Sequence, residues 1–331
     1  MRFIVGVSLT LSFRSRVDRG ESKRTLLLHT LRRSAIIFLI GLFLNGFPYF
    51  HLATWRVPGV LQRIAIAYLA ASVVTLHTKT RGIVVWIAIL LTGYWVAMRF
   101  IPVPGLGMPG SDMPLLDPNA NLSWYLDKHF LPGAMYEGTR DPEGILSTFP
   151  AIATALLGVL TGQWLGSDPD KNDPKRKVFG MLAAGAALII AGLLWNSWFP
   201  INKKLWTSSF VLFTAGCALV CLALCYWITD VKLHRGWWTK PFVVFGTNAI
   251  AAYALADLAS SLLFNLRLHH GHPTVTLADY LYRTLFGGIS PRELASLTYS
   301  GVFVCLCWLP IYWMYRKRIF LKVSGKVTRS T

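Results

Sequence analysis

The sequence predicts an all-α fold: a polytopic transmembrane helical bundle of about eight complete helices, preceded by a partial one at the N-terminus. Three observations predict it. Of 331 residues, 54% are hydrophobic and 15% charged, with a mean hydropathy of +0.47, whereas a soluble domain is about one quarter charged. The apolar residues gather in long blocks, each near the ~20 residues that one bilayer crossing needs. Those blocks lack the apolar/polar alternation of a barrel wall.

The chain opens with a short apolar run, Phe3 to Phe13, too short to cross hydrocarbon about 30 Å thick. Complete spans are expected at 34–50, 57–77, 82–100, 144–165, 178–197, 206–228, 241–265 and 296–315. The longest polar stretch, Ile101 to Glu143, is rich in Pro and Gly and holds Asp112, Asp117, Asp127, Glu137, Asp141 and Glu143. Long loops of this kind are functional or disordered. Within it, Leu122 to Phe130 can form a short amphipathic helix. A second long connection runs from Arg267 to Ala295. No internal repeat is visible, so residues 1–320 read as one transmembrane domain, followed by a basic tail at 321–331.

A net charge of +18, from 33 Lys and Arg against 15 acids, raises the question of nucleic acid. The positions of the charges decide against it. When the connections are assigned alternately to two sides, 22 basic residues fall on one side, in the stretches 14–33, 79–81, 171–177, 232–240 and 316–329. Positive charge concentrates on the cytoplasmic side of membrane proteins, so the C-terminus is expected in the cytoplasm and the basic stretches against anionic lipid headgroups. The same topology sends Met1 outward with nothing upstream to carry it, and a further helix and outer loop are expected before Met1.

Cys217, Cys221 and Cys225 fall at helical spacing, and Cys305 and Cys307 lie in another span; buried in apolar helices, they read as packing residues. His269, His270 and His272 lack Cys or carboxylates at ligand spacing and read as a polar loop, so no metal is expected. Polar groups inside the spans are more informative, because hydrocarbon makes each of them costly. Gln62 and Arg63 sit two turns into one span. Asn248 and Asp257 share another. Asp141 and Glu143 stand where the long loop re-enters the membrane, and Asn202, Lys203 and Lys204 occupy a short turn before Trp206. Convergence of Arg63, Glu143, Lys203 and Asp257 would build a polar substrate cavity; the competing reading is interfacial snorkelling with structural ion pairs.

The stretch Arg56-Val57-Pro58-Gly59-Val60-Leu61-Gln62-Arg63-Ile64-Ala65-Ile66-Ala67-Tyr68-Leu69 resembles a signature of the heparan-α-glucosaminide N-acetyltransferase family. So do Asp141-Pro142-Glu143-Gly144-Ile145-Leu146-Ser147-Thr148, Phe199-Pro200-Ile201-Asn202-Lys203-Lys204-Leu205-Trp206 and, more loosely, Gly246-Thr247-Asn248-Ala249-Ile250 with Tyr253. The resemblance implies a membrane acyltransferase that carries acetyl from cytosolic acetyl-CoA to the amino group of a glucosamine-type sugar or glycan on the outer side. It further implies a homodimer and, for the bacterial members, an inner-membrane location. Arg56, Gln62, Arg63, Asp141, Glu143, Asn202, Lys203, Trp206, Asn248 and Asp257 become the candidate residues for binding acetyl-CoA or the acceptor. Acetyl-CoA is a polyanion suited to basic groups, and acids can hold an aminium or hydroxyls. The family's catalytic His precedes a helix ending like Phe3 to Leu9, and no His of this chain matches it. No catalytic residue is therefore assigned, and the chain by itself is expected to be impaired.

Two other classes compete. An amino-sugar permease would line its path with Arg63 and Asp257. A non-catalytic membrane scaffold would need neither.

Overall fold

A computed structural model describes residues 1–167, 173–268 and 275–320. Its helices are α1 (Arg2–Val17), α2 (Lys23–Gly46), α3 (Val60–His77), α4 (Thr80–Phe100), α5 (Leu122–Phe130), α6 (Thr148–Leu165), α7 (Pro174–Trp195), α8 (Ser208–Tyr226), α9 (Lys240–Thr247), α10 (Ala249–Asn265), α11 (Leu277–Leu281) and α12 (Arg292–Arg316). A two-residue ribbon pairs β1 (Arg267–Leu268) with β2 (Val275–Thr276). The basic tail 321–331 and the three loop histidines lie outside the described residues.

Among the described residues, seven helices are long and apolar enough to cross a membrane: α2, α3, α4, α6, α7, α8 with its continuation to Val231, and α12. The expected span 241–265 differs. It is broken at Asn248 into α9 and α10, which meet at 82°. The apolar block is continuous in sequence, but the helix is not. The first complete span also shifts, from the expected 34–50 to Lys23–Gly46, because Lys and Arg are good helix formers and extend the helix through the basic stretch. Many large apolar side chains face outward, among them Phe179 (75% exposed) and Leu194 (63%) on α7 and Leu306 (60%) on α12. Such a surface suits lipid, not water, and the chain is an integral membrane protein.

The chain divides into two compact units. The first comprises Met1–Leu42 and Ala53–His234; the second comprises Phe43–Leu52 and the chain from Arg235 on. In the first unit α6 is central, packing against α1, α3, α4 and α8. Alanines at 151, 153 and 155 and glycines at 158 and 162 leave parts of its buried surface with little side-chain bulk. Backbones therefore meet directly. A Cβ at Gly158 would lie 1.9 Å from the Phe3 carbonyl oxygen, and one at Gly6 would lie 1.9 Å from that of Ala155. The short apolar run of the sequence thus becomes α1, locked onto α6.

The long loop has structure of its own. Tyr94, Met98, Val103, Leu122 and Phe199 form a small core beneath it. The α5 helix starts where Asn121 caps it, its Oδ1 accepting the Trp124 N–H at 2.9 Å. In the second unit, Ser261 donates to the Phe47 carbonyl at 3.1 Å and Asn248 Nδ2 donates to the Ile319 carbonyl at 3.1 Å.

Candidate functional site

The turn from Asp141 to Ser147, which leads into α6, is the centre of the site in the first unit. Arg56 enters it from the segment before α3. Its Nε donates to Asp141 Oδ2 and its Nη2 to Asp141 Oδ1, both at 2.7 Å, and Nη2 also reaches Glu143 Oε2 at 2.7 Å. Asp141 further accepts the N–H groups of Tyr136 and Glu143, at 3.1 and 2.9 Å. Burial works against the charge on Arg56, but the hydrogen bonds and charges of Asp141 and Glu143 more than offset it, so its proton is held more tightly than usual.

One turn into α3 lies Arg63, 1% exposed. Its Nη2 donates to the Pro142 carbonyl and the Ser147 hydroxyl, while Nε and Nη1 have no hydrogen-bond partner among the described residues. Trp206 sits against it, with the guanidinium carbon 5.7 Å from the ring centroid and that of Arg2 4.1 Å away. Trp206 is held by a bond from its Nε1 to Thr154 at 3.1 Å. Gln62 is also buried, its Nε2 unpartnered.

Beside this cluster opens a cleft with about 510 Å³ of empty space, counting the part open to solvent. Its walls include Asn121, Trp124 and Asp127 of the α5 segment, Glu137, Arg140, Asp141 and Pro142 of the loop, and Asn202 and Lys204 of the turn before α8. Lys204 bridges to Glu137 at 2.6 Å, and Arg140 pairs with the same carboxylate. Hydrogen bonds from Lys204 and Arg140 hold Glu137 below the usual carboxylate range. Asp127 behaves in the opposite way. It is 1% exposed, and burial, with the charge of Asp141 adding to it, pushes its carboxyl up to about 6 against the pull of the Ile145 N–H and of Arg63.

The structure brings Arg56, Asp141 and Glu143 into one ion-paired group, with Arg63 and Trp206 on its buried side, whereas the Gln62 side chain lies against Gly41 of α2. Asn202 lines the cleft and shapes the turn, its Oδ1 accepting from the N–H groups of Lys204 and Leu205. Lys203 is exposed and makes no ion pair among the described residues; its neighbour Lys204 does so instead. Asn248 and Asp257 belong to the second unit, Asn248 at the break before α10 and Asp257 half-buried on α10. Sequence reasoning passed over Asp127, Trp124 and Ser147 as site residues. The signal for Asp127 was its place on the one amphipathic helix of the acidic loop. Among the described residues no group of three or more His, Cys, Asp or Glu is arranged to hold a metal.

Fold and site together define a polytopic helical membrane protein with a charged cleft at the loop end of its first unit. No protein-family model matches the chain. It is 30% identical to the heparan-alpha-glucosaminide N-acetyltransferase of Homo sapiens over 371 aligned positions, covering 97% of this chain and 53% of the human protein. The protein of that name from Mus musculus is 30% identical over 309 positions, covering 76% of this chain and 45% of the mouse protein. The chain belongs to the heparan-alpha-glucosaminide N-acetyltransferase family. It spans about half the length of the curated relatives it matches.

Proposed function

We propose that the chain carries the membrane part of an N-acetyltransferase that moves acetyl from acetyl-CoA, supplied at the cytoplasmic face, to the amino group of a glucosamine-type sugar in the cleft on the outer side. The observation that carries this reading is the similarity to two N-acetyltransferases over 97% and 76% of the chain, joined to a cleft of carboxylates, amides and an indole suited to a sugar. The orientation rests on the charge asymmetry of the connections. The Arg56 group fixes the turn that opens α6, and Arg63 offers a cation on its membrane side with two donors to spare. Donors of that kind can meet a phosphate or a developing oxyanion.

Calorimetry of the detergent-solubilised chain tests the reading, with radiolabelled acetyl transfer followed in liposomes. Acetyl-CoA and glucosamine are each expected to bind, with labelled N-acetylglucosamine forming only slowly, since no His of this chain stands in the family's catalytic position. Failure of both ligands to bind would overturn it. One observation favours a second reading: the 82° break at Asn248 resembles the discontinuous helices of permeases. Uptake of labelled N-acetylglucosamine into liposomes without acetyl-CoA would support that alternative.

A further inference from the structure

Asp127 is the one carboxylate lining the cleft that no cation neutralises. Asp141 is gripped by Arg56, and Glu137 by Lys204 and Arg140. No Lys, Arg or His among the described residues lies within ion-pairing distance of Asp127. Its Oδ1 accepts the Ile145 N–H at 2.8 Å. Its Oδ2 lies against Gly144, where a Cβ would come within 1.9 Å, so only glycine at 144 lets the carboxylate rest there. The side chain is thereby fixed and nine-tenths buried, yet it forms part of the cleft wall beside Trp124 and Asn121. A buried carboxylate without a counter-ion is costly unless a ligand supplies the charge.

We propose that Asp127 is the specificity-determining carboxylate of this cleft, pairing with the ammonium of an amino-sugar acceptor and losing its hold once the nitrogen becomes a neutral amide. The inference rests on the acetyltransferase reading above. Trp124 provides a flat apolar face for the sugar ring, and its buried Nε1 has no partner among the described residues. Acetylation removes the positive charge, so the product leaves a site that held the substrate by that charge. The other charges facing Asp127 are already committed or share its sign. Asp141 and Glu143 share the single positive charge of Arg56; Arg63 approaches from α3 but bonds to Pro142 and Ser147; Lys128, on the same helix, lies over the Trp124 ring. Tyr94 faces it from α4, its hydroxyl donating to the Leu205 carbonyl.

The test is calorimetric binding of glucosamine and of N-acetylglucosamine to the detergent-solubilised chain, from pH 5 to pH 7. Glucosamine is expected to bind up to about tenfold more tightly at pH 7 than at pH 5, as a carboxyl half-titrated near about 6 ionises. N-acetylglucosamine is expected to bind equally at both. Asp127→Asn keeps the acceptor for the Ile145 N–H, should still bind N-acetylglucosamine, and should lose the preference for glucosamine. Unchanged preference in Asp127→Asn, or glucosamine affinity independent of pH in the unsubstituted chain, overturns this inference and leaves the acetyltransferase reading standing. Failure of glucosamine to bind at all overturns the inference and removes the acceptor half of that reading.

Discussion

Arg56 and Asp141, 85 residues apart in sequence, form a two-pronged ion pair in which two guanidinium nitrogens each meet a different carboxylate oxygen at 2.7 Å. The Asp141 side chain is fully buried and that of Arg56 is 18% exposed. Removing one partner of such a pair strands the other. Arg56→Ala is expected to destabilise the solubilised protein by about 3 kcal/mol, towards the lower end of the range for buried pairs because Arg56 keeps some solvent contact. Arg56→Lys should recover only part of that, since an ammonium cannot make the fork. Thermal unfolding in detergent reads both.

Arg63 invites the opposite result. It is a buried cation whose bonded partners are a carbonyl and a hydroxyl, with two nitrogens unsatisfied. Replacing a poorly compensated buried charge by an apolar side chain of similar size is often neutral or stabilising. Arg63→Met should therefore melt within a few degrees of the parent while acetyl transfer falls on the order of 100-fold. If melting temperature and activity fell together, Arg63 would be a structural group.

The Asp127 carboxyl moves from its ordinary 3.8 to about 6 on folding, chiefly through burial. Between those values the folded protein binds a proton that the unfolded chain does not. Stability from this group is thus full below about pH 4 and declines as pH rises through about 6. Asp127→Asn should remove that decline and stabilise the protein at pH 7 by on the order of 2 kcal/mol. Unfolding at pH 5 and pH 7 measures it. A variant that gains stability but loses the preference for an amine would mark a group retained for binding.

The contact of α1 with α6 predicts a steric effect. At Gly158 a methyl group would meet the Phe3 carbonyl, which belongs to backbone and cannot swing aside. Gly158→Ala should cost about 1–3 kcal/mol, as overpacking of a close contact does. Gly158→Leu should abolish monodisperse elution from a sizing column. Gly93, with open space around its Cβ position, should accept alanine without loss.

Much of the fold is legible in the sequence because lipid imposes one rule, a long apolar run for each crossing, and α3, α4, α6, α7 and α12 follow it closely. The break at Asn248 escapes that rule. Hydropathy is blind to backbone direction, and only the run Gly246-Thr247-Asn248 hints at a helix end. The acidic turn and Arg63 were legible as costly polar groups beside apolar spans. Asp127 was not, because its burial arises from the approach of Gly144 and Ile145, 17 and 18 residues further along the chain, and no local pattern records that approach. Lys203 and Lys204 cannot be told apart from sequence; the position of Glu137 selects Lys204.

The break between α9 and α10 has a dynamic consequence. The last carbonyls of α9 and the first N–H groups of α10 have no helical partners across the bend, and acyl chains offer none. Amide hydrogens around Asn248 should exchange with solvent deuterium orders of magnitude faster than those in the middle of α6, whose ladder is continuous and sealed by neighbouring helices. An apolar segment that by composition should be among the most protected in the chain would then be one of its leakiest to water.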